Sequence, residues 1–587
     1  MGGSLIEDRN AAVRTNLIDA SRFRYFTRRW GVPLRVGVFV ALIGLGAWGF
    51  TRLPEFNGRT DAGWNIAYVT LQLATFQFPS VDGSVPWQLQ IARFALPLLT
   101  ISEALNFLSG AALRSLRHNL IAPFTRPAMV AIGSSEDGMA LVRQLHHLRV
   151  RCEVVASALS MAQQQELIHL NILSHIGPTD SPVTWARAQV SRAEPIFAVC
   201  GADIDNLAAA AAAESALGRH RPSRPRIEPE IHIGIRNAAL AEEVLKSRDP
   251  MTRAVRWRRY SVNDISALHL LTAPPPAFFK PIKTDPTHIL MIGMNDAAYE
   301  FFKNALIYCQ DCAKEGPVIT IFANSDVMSG YPLLRPGAVP SFIGTIRSIH
   351  WVANTILPDQ LKEELAGTPP ASIALVALPG EPALAAGLAL HRQRKDILMP
   401  GGKIAVTSPN AERLSRALLG KPESEQGLHE YGAHVPNALL KRLLEHQDDE
   451  RARAIHETYL QDQRDYGKAP AVNEEWENLK ENFRDANRSA AAHITVKLAS
   501  IGLTETDIAK HPSVFSEADL GWLSRIEHRR WAAERITQGW RFGEKTDRQA
   551  RVHCDIVSYE NLSKEDQAKD TVQVVNIPRF LNWNLRL

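Results

Sequence analysis

Ala128-Met-Val-Ala-Ile132, then Gly133-Ser-Ser-Glu-Asp-Gly138, then the amphipathic run Met139 to Leu148, is the stretch that decides the fold. An apolar run without alternation reads as a strand buried on both faces, and such strands belong to parallel sheets covered by helices. Working outward, Cys152 to Ala156 is the next strand, followed by the turn Ile176-Gly-Pro-Thr-Asp180 and the strand Pro195 to Cys200. Asp203-Ile-Asp-Asn-Leu207 opens an alanine-rich helix, and Glu230 to Arg236 is a fifth strand. A second copy of the pattern starts at His288. There Ile289-Leu-Met-Ile292 runs into Gly293-Met-Asn-Asp-Ala-Ala298, and strands Val318 to Phe322, Ile373 to Leu378 and Lys403 to Thr407 follow. The expectation is two α/β doubly wound lobes, residues 124–272 and 285–410, separated by the proline-rich segment Pro274 to Pro286.

At 587 residues the chain has room for further domains. A net charge of +4 is small for that length and does not point to nucleic acid. The mean hydropathy of −0.14 excludes a polytopic transporter. Five cysteines are scattered along the chain. Cys309 and Cys312 have the spacing of a zinc half-site, but no second pair joins them, so no metal site is expected.

Toward the N-terminus, Val36 to Thr51 is an uncharged apolar run between Arg35 and Arg52. A second apolar segment, Pro86 to Leu113, is interrupted by Arg93 and Glu103 and followed by Arg114 and Arg117. With Arg22, Arg24, Arg28 and Arg29 before the first run, charge placement predicts both ends inside. The expected layout is an N-terminal cytoplasmic segment 1–30, a first membrane helix 31–53, a re-entrant element 54–86 and a second membrane helix 87–118. Within the re-entrant element, the short helical stretch Trp64 to Ala74 leads into Thr75-Phe-Gln-Phe-Pro79-Ser80. This layout resembles the pore unit of two-transmembrane potassium channels, with Thr75 to Ser80 in the place of the filter. Only Thr75 is shared. Phe76, Gln77, Phe78 and Pro79 cannot supply the glycine-dependent ladder of carbonyls that such filters need. Glu103 in a fourfold assembly would form an acidic ring favouring cations.

The order of pore unit and two lobes resembles prokaryotic ligand-gated channels with tandem RCK domains (regulator of K+ conductance, TrkA-N-like and Rossmann-like). That resemblance implies a homotetrameric gating ring, a lipid bilayer with permeating ions, and an inner membrane with both termini cytoplasmic. A regulatory dinucleotide would sit at Gly133, Ser135, Gly138 and Asp180. Yet Ser135 replaces the middle glycine of a dinucleotide fingerprint, and Ala156-Ser157 end the second strand where an acid would hold the ribose. A sheet kept for assembly therefore stays open beside NAD binding. No nucleophile–base pair or metal cluster accompanies either lobe, so no catalytic residue and no enzyme is expected.

Beyond a linker helix at Asn437 to Asp449, residues 435–587 carry a duplication at about 450–505 and 515–587. His456 and Tyr459 are answered by His528 and Trp531, and Gly467 and Gly539 each follow eight residues after the aromatic. Trp476-Glu-Asn-Leu479 is answered by Tyr559-Glu-Asn-Leu562. The second copy, with His528, Trp531, Trp540-Arg541, His553 and Tyr559, resembles the ryanodine-receptor (RyR) repeat domain, a mainly helical module. The family's link to adenine nucleotides implies a ligand site at His528, Trp531, Trp540, Tyr559 and Arg541. Trp531, Trp540 and Tyr559 offer faces on which a base stacks, while Arg529, Arg535, Arg541 and Lys545 offer charge for phosphates. The first copy lacks the second Trp and much of the segment before Trp476, and reads as a buttress.

Together these readings give a ligand-gated channel subunit that senses a cytosolic nucleotide, an adenine nucleotide or NAD. The alternatives are a membrane-anchored nucleotide-binding protein without a pore and a membrane-bound NAD-dependent oxidoreductase.

Overall fold

The computed structural model describes residues 37–56, 62–81, 83–116, 127–133, 135–219, 229–248, 255–272, 285–312, 314–351, 358–408, 427–432, 435–465, 474–510 and 515–581, with positions 411, 414, 417, 467 and 471. The chain forms two compact units, Met1–Thr125 and Arg126–Leu587.

In the first unit a helix over residues 37–51 is followed by the helix Ala62–Gln72, a tight 3-10 turn Leu73–Thr75 and the helix Trp87–Leu116. The short-helix layout matches the sequence reading, but the membrane spans do not stand. Among the described residues no helix is long and apolar enough to cross a membrane. Trp87–Leu116 has the length, but Gln88, Gln90, Arg93, Thr100, Ser102, Glu103, Asn106 and Arg114 dilute its apolar character. The membrane helices at 31–53 and 87–118 and the inner-membrane placement are corrected accordingly. The strip from Thr75 has another role. Thr75 Oγ1 donates to Gln72 O at 2.9 Å, and the amides of Phe76 and Gln77 close back on Leu73 O and Gln72 O. Phe76 sits at φ +60 as the cap of that turn, and Phe78 lies beneath the Arg93 guanidinium at 5.2 Å. The cytoplasmic segment 1–30 and the side chain of Glu103 lie outside the described residues.

The second unit holds both expected lobes. The first sheet contains β1 (Ala128–Ile132), β2 (Cys152–Ala156), β3 (Leu173–Ile176), β4 (Ile196–Val199), β5 (Glu230–Gly234) and β6 (Arg256–Tyr260). All pair in parallel in the order β3-β2-β1-β4-β5-β6. The second contains β7 (His288–Ile292), β8 (Val318–Ala323), β9 (Thr345–His350), β10 (Ala371–Val376), β11 (Leu398–Val406) and β12 (Leu428–Glu430). Its order, β12-β11-β10-β7-β8-β9, is the same topology, and its last strand lies beyond residue 410. β1, β7 and β10 are buried at every residue, which is why they are apolar but for His288 and Ser372.

The lobes exchange helices. Val262–Thr272, which follows β6, packs Ala267, Leu270 and Leu271 into the core of the second lobe with Phe301, Phe302 and Tyr431. Asn437–Leu444, which follows β12, returns Leu440 and Leu443 to the first lobe against Leu141 and Leu145. Each buried Leu is worth about 1.5–3 kcal/mol, so the exchange locks the lobes together.

Candidate functional site

The C-terminal module is built from two copies of one skeleton. Each starts on a long helix, Gln447–Asp465 or Glu517–Thr537. Gly467 and Gly539 stand just past these helices at φ +74 and +82, where a side chain would be strained. A 3-10 turn, Trp476–Asn478 or Tyr559–Asn561, then precedes the helix Glu481–Ala492 or Lys564–Val575. His456 Nε2 donates to Glu474 O at 2.6 Å, and His528 Nε2 donates to Val557 O at 2.8 Å. Each carbonyl lies two residues before the turn aromatic. His456 stacks on Tyr459 at 6.1 Å as His528 does on Trp531 at 5.8 Å. Arg453 pairs with Glu477 at 2.7 Å as Arg525 does with Glu560 at 3.0 Å. The matched residues of the two copies are thus chiefly the internal bonds of the skeleton.

The copies meet across a buried polar seam. Arg530 bonds Glu527 at 2.9 Å and Glu534 at 2.8 Å, and Lys497 bonds Glu527 at 2.5 Å. Burial pushes the Glu527 carboxyl upward, but Arg530 and Lys497 outweigh it and hold the group down at about 2. Ala532, Ala533 and Ile536 on the other side of this helix join the core of the second lobe.

Only the second copy adds a wall between residues 539 and 558. Two-residue strands β13 (Arg541–Phe542) and β14 (Val552–His553) carry it. His553 meets Trp531 edge-on at 5.0 Å and Trp540 at 6.1 Å. The Arg535 guanidinium lies 5.8 Å from the Trp531 ring and 5.7 Å from the Trp540 ring, so a cation occupies the space between two indoles. Burial lowers the pKa of Arg535, and its N–H bonds Gln538 Oε1 at 3.2 Å. The Asp555 amide donates to His553 Nδ1 at 3.1 Å, which leaves the proton on Nε2, and burial lowers the ring's pKa. Exposed Arg548 and Lys569 stand at the rim.

This box opens into a cleft of about 2230 Å³ between the module and the lobes. Tyr459 and Gln463 of the first copy border the same cleft. Arg551, at φ +52, reaches from the added wall to Glu242 at 3.3 Å and Glu243 at 3.2 Å on the helix Ala238–Ser247 of the first lobe. The box is therefore wired to both lobes.

The candidate residues from the sequence separate into groups. His528, Trp531 and Trp540 border the cleft, together with Arg535. Tyr559 packs behind His528 at 6.0 Å. Arg541 is exposed on β13 and absent from the cleft lining, as is Lys545. Arg529 is buried and donates to Cys312 O at 2.5 Å, so it docks the module on the second lobe. His553, Arg548, Lys569 and Arg551 were missed. The signal available was the insert itself, whose basic residues lie between two aromatics.

In the first lobe Gly133 packs so tightly that a Cβ there would fall 2.0 Å from Cys200 O. Ser135 caps the helix Glu136–His147 with its Oγ buried and unpartnered, while Glu136 and Asp137 in the first turn oppose an anion. Asp180 is exposed, and none of Gly133, Ser135, Gly138 and Asp180 lines the large cleft. Two groups have metal-ligand geometry among the described residues, Glu230–His446–Asp449 and His553–Cys554–Asp555. Arg256 already neutralises Glu230 at 3.3 Å and Arg488 neutralises Asp449 at 2.5 Å, so the first is a satisfied ion network.

Residues 520–585 match the model of the RyR domain. This segment is similar to RyR domains, and it is the copy that carries the added wall. No curated protein matches the chain. Among solved structures, the GsuK channel is 15% identical and covers 71% of this chain and 99% of its own, with a TM-score of 0.34. The GsuK channel bound to NAD is 13% identical over 73% of this chain and 85% of its own, with a TM-score of 0.34. GsuK bound to ADP is 14% identical over 71% and 99%, with a TM-score of 0.33. At such values the assignment of the lobes rests on their own strand order rather than on the likeness.

Proposed function

We propose that this chain is a nucleotide-sensing regulatory protein rather than an enzyme, with the second repeat as receptor and the two lobes as the responding body. The observation that carries the reading is the Arg535 guanidinium between Trp531 and Trp540. That slot accepts a flat ring once the guanidinium swings aside, and Arg535, Arg548 and Lys569 then face the phosphates. Occupancy would strain or release the Arg551 contacts with Glu242 and Glu243, which is a route to the first lobe. Exposed Trp64, Tyr68, Leu71, Phe94 and Leu98 in the first unit are the surface on which a homotetramer would close.

ADP and NAD, which the similar structures are described as binding, are the probes. Titration calorimetry of the full chain should show saturable binding of at least one, weakened about tenfold or more by Trp540→Ala. Binding untouched by that change overturns the assignment. A second reading, a nucleotide at the Gly133 turn, draws on the orphaned Ser135 hydroxyl. It requires Ser135→Ala, and not Trp540→Ala, to reduce affinity.

A further inference from the structure

His528 also borders a second, separate pocket of about 500 Å³, where the second repeat meets the second lobe. The volume suits a small ligand. Its aromatic walls are Phe342 of the lobe and Trp522 and Tyr559 of the repeat, and its cations are Lys314 of the lobe and Arg525 and Arg529 of the repeat. Arg525 already bonds the carboxylate Glu560 at 3.0 Å, and Arg529 bonds Cys312 O at 2.5 Å, which leaves exposed Lys314 as the cation that no backbone bond holds. The Arg525 guanidinium also lies 5.4 Å from the Tyr559 ring. The indole Nε1 of Trp522 is buried and has no hydrogen-bond partner. A buried donor of that kind calls for an acceptor.

Comparison with the first copy shows that this lining is not a by-product of the skeleton. The Arg525–Glu560 pair is kept as Arg453–Glu477, with the Arg 72 residues earlier and the Glu, on the far side of the insert, 83 residues earlier. Trp522 and Arg529 are instead answered by Glu450 and Glu457, which reverses the charge and removes the ring. Only the second copy is furnished for an anion with an aromatic face.

We propose that this pocket binds a small aromatic anion, a flat ring bearing one carboxylate or phosphate. The ring lies among Phe342, Trp522 and Tyr559, and the anion faces Lys314 and Arg525, while Arg529 stays bonded to Cys312 O behind them. Because the walls come from both bodies, the ligand clamps the second repeat onto the second lobe. The site lies apart from the Arg535 box and shares only His528 with it.

The test uses the full chain carrying Trp540→Ala, which weakens the box, with AMP and 4-hydroxybenzoate as probes in titration calorimetry. One of the two is expected to bind saturably, and which one identifies whether a phosphate or a carboxylate is preferred. Lys314→Glu, at an exposed position, should weaken that binding about tenfold. Trp522→Phe, which keeps a ring but loses the N–H, should weaken it less. Failure of both probes to bind at millimolar concentration, or binding that neither substitution alters, overturns the proposal.

Discussion

In the first copy of the C-terminal module, Trp476 is buried and the Arg484 guanidinium lies 5.0 Å from its ring while bonding Glu477 O at 2.9 Å. In the second copy, Tyr559 holds the same place half-open, and Gln567 replaces Arg484 with a 3.0 Å bond to Tyr559 O. One copy spends its aromatic on its own core, and the other leaves aromatic surface facing pockets. Duplication let the skeleton stay and the openings diverge. The same contrast appears at the histidines. Burial works against the charge on His528, but the Asp570 carboxylate at 3.3 Å more than offsets it and raises the pKa. Asn487 stands in the matching place of the first copy and donates to Phe483 O at 2.8 Å, and burial lowers the pKa of His456.

The sharpest way to break this comparison is by stability. Trp476→Ala should cost about 3–5 kcal/mol by opening a cavity and removing the ring beside the Arg484 guanidinium. Tyr559→Ala should cost only about 1–2 kcal/mol. Urea unfolding of the full chain measures both, and equal losses would erase the distinction between core and opening. The next effect is on ligand. Trp531→Ala should weaken ADP or NAD by about 1–3 kcal/mol. Tyr459→Ala should change affinity by less than about threefold if the first copy only buttresses the site. A larger loss at Tyr459 would show that both copies hold the ligand.

A smaller effect tests what the copies share. Gly467→Ala and Gly539→Ala each force a Cβ into a left-handed position and should each cost about 1 kcal/mol. Thermal melts that differ widely between the two would mean that the helix ends are not equivalent. The smallest effect is in pH dependence. The folded pKa of His528 is raised, so its stabilisation is full below the unfolded value of about 6.5 and is lost as pH rises through the folded value. For His456 the folded value is depressed, and stability falls as pH drops below about 6.5. Asp570→Asn should therefore lower the His528 value in an NMR titration and reduce the loss of stability above pH 6.5. A His528 titration that does not move would remove Asp570 as the cause.

The legible part of the fold was the part whose burial is uniform. β1 is wholly apolar and β2 is apolar but for Glu153, both are buried throughout, and their bounds could be read directly. The edge strands β3 and β9 are half exposed, and β6 reads Arg-Trp-Arg-Arg-Tyr, so none offers an apolar run. The first unit misled for a related reason. Local hydropathy between Arg35 and Arg52 suggested a membrane span, but the described helices lack either the length or the apolar continuity for one. At the site, Trp531 and His528 were legible because a duplicated sequence marks them, and Trp540 because it falls in the pattern of the RyR repeat. Arg541 and Arg529 looked like phosphate ligands, yet one faces solvent and the other docks on Cys312.

The sequence by itself determined the two doubly wound sheets, the duplication and the positions of its glycines and aromatics, because periodicity and turn chemistry act over a few residues. Only the tertiary structure decided that the lobes exchange helices, that Arg535 fills the slot between two indoles, and that Arg529, Arg530 and Lys497 are buried rather than solvated. The reason is physical. A charged side chain can be buried only beside a partner, and for Arg529 that partner lies more than 200 residues away along the chain.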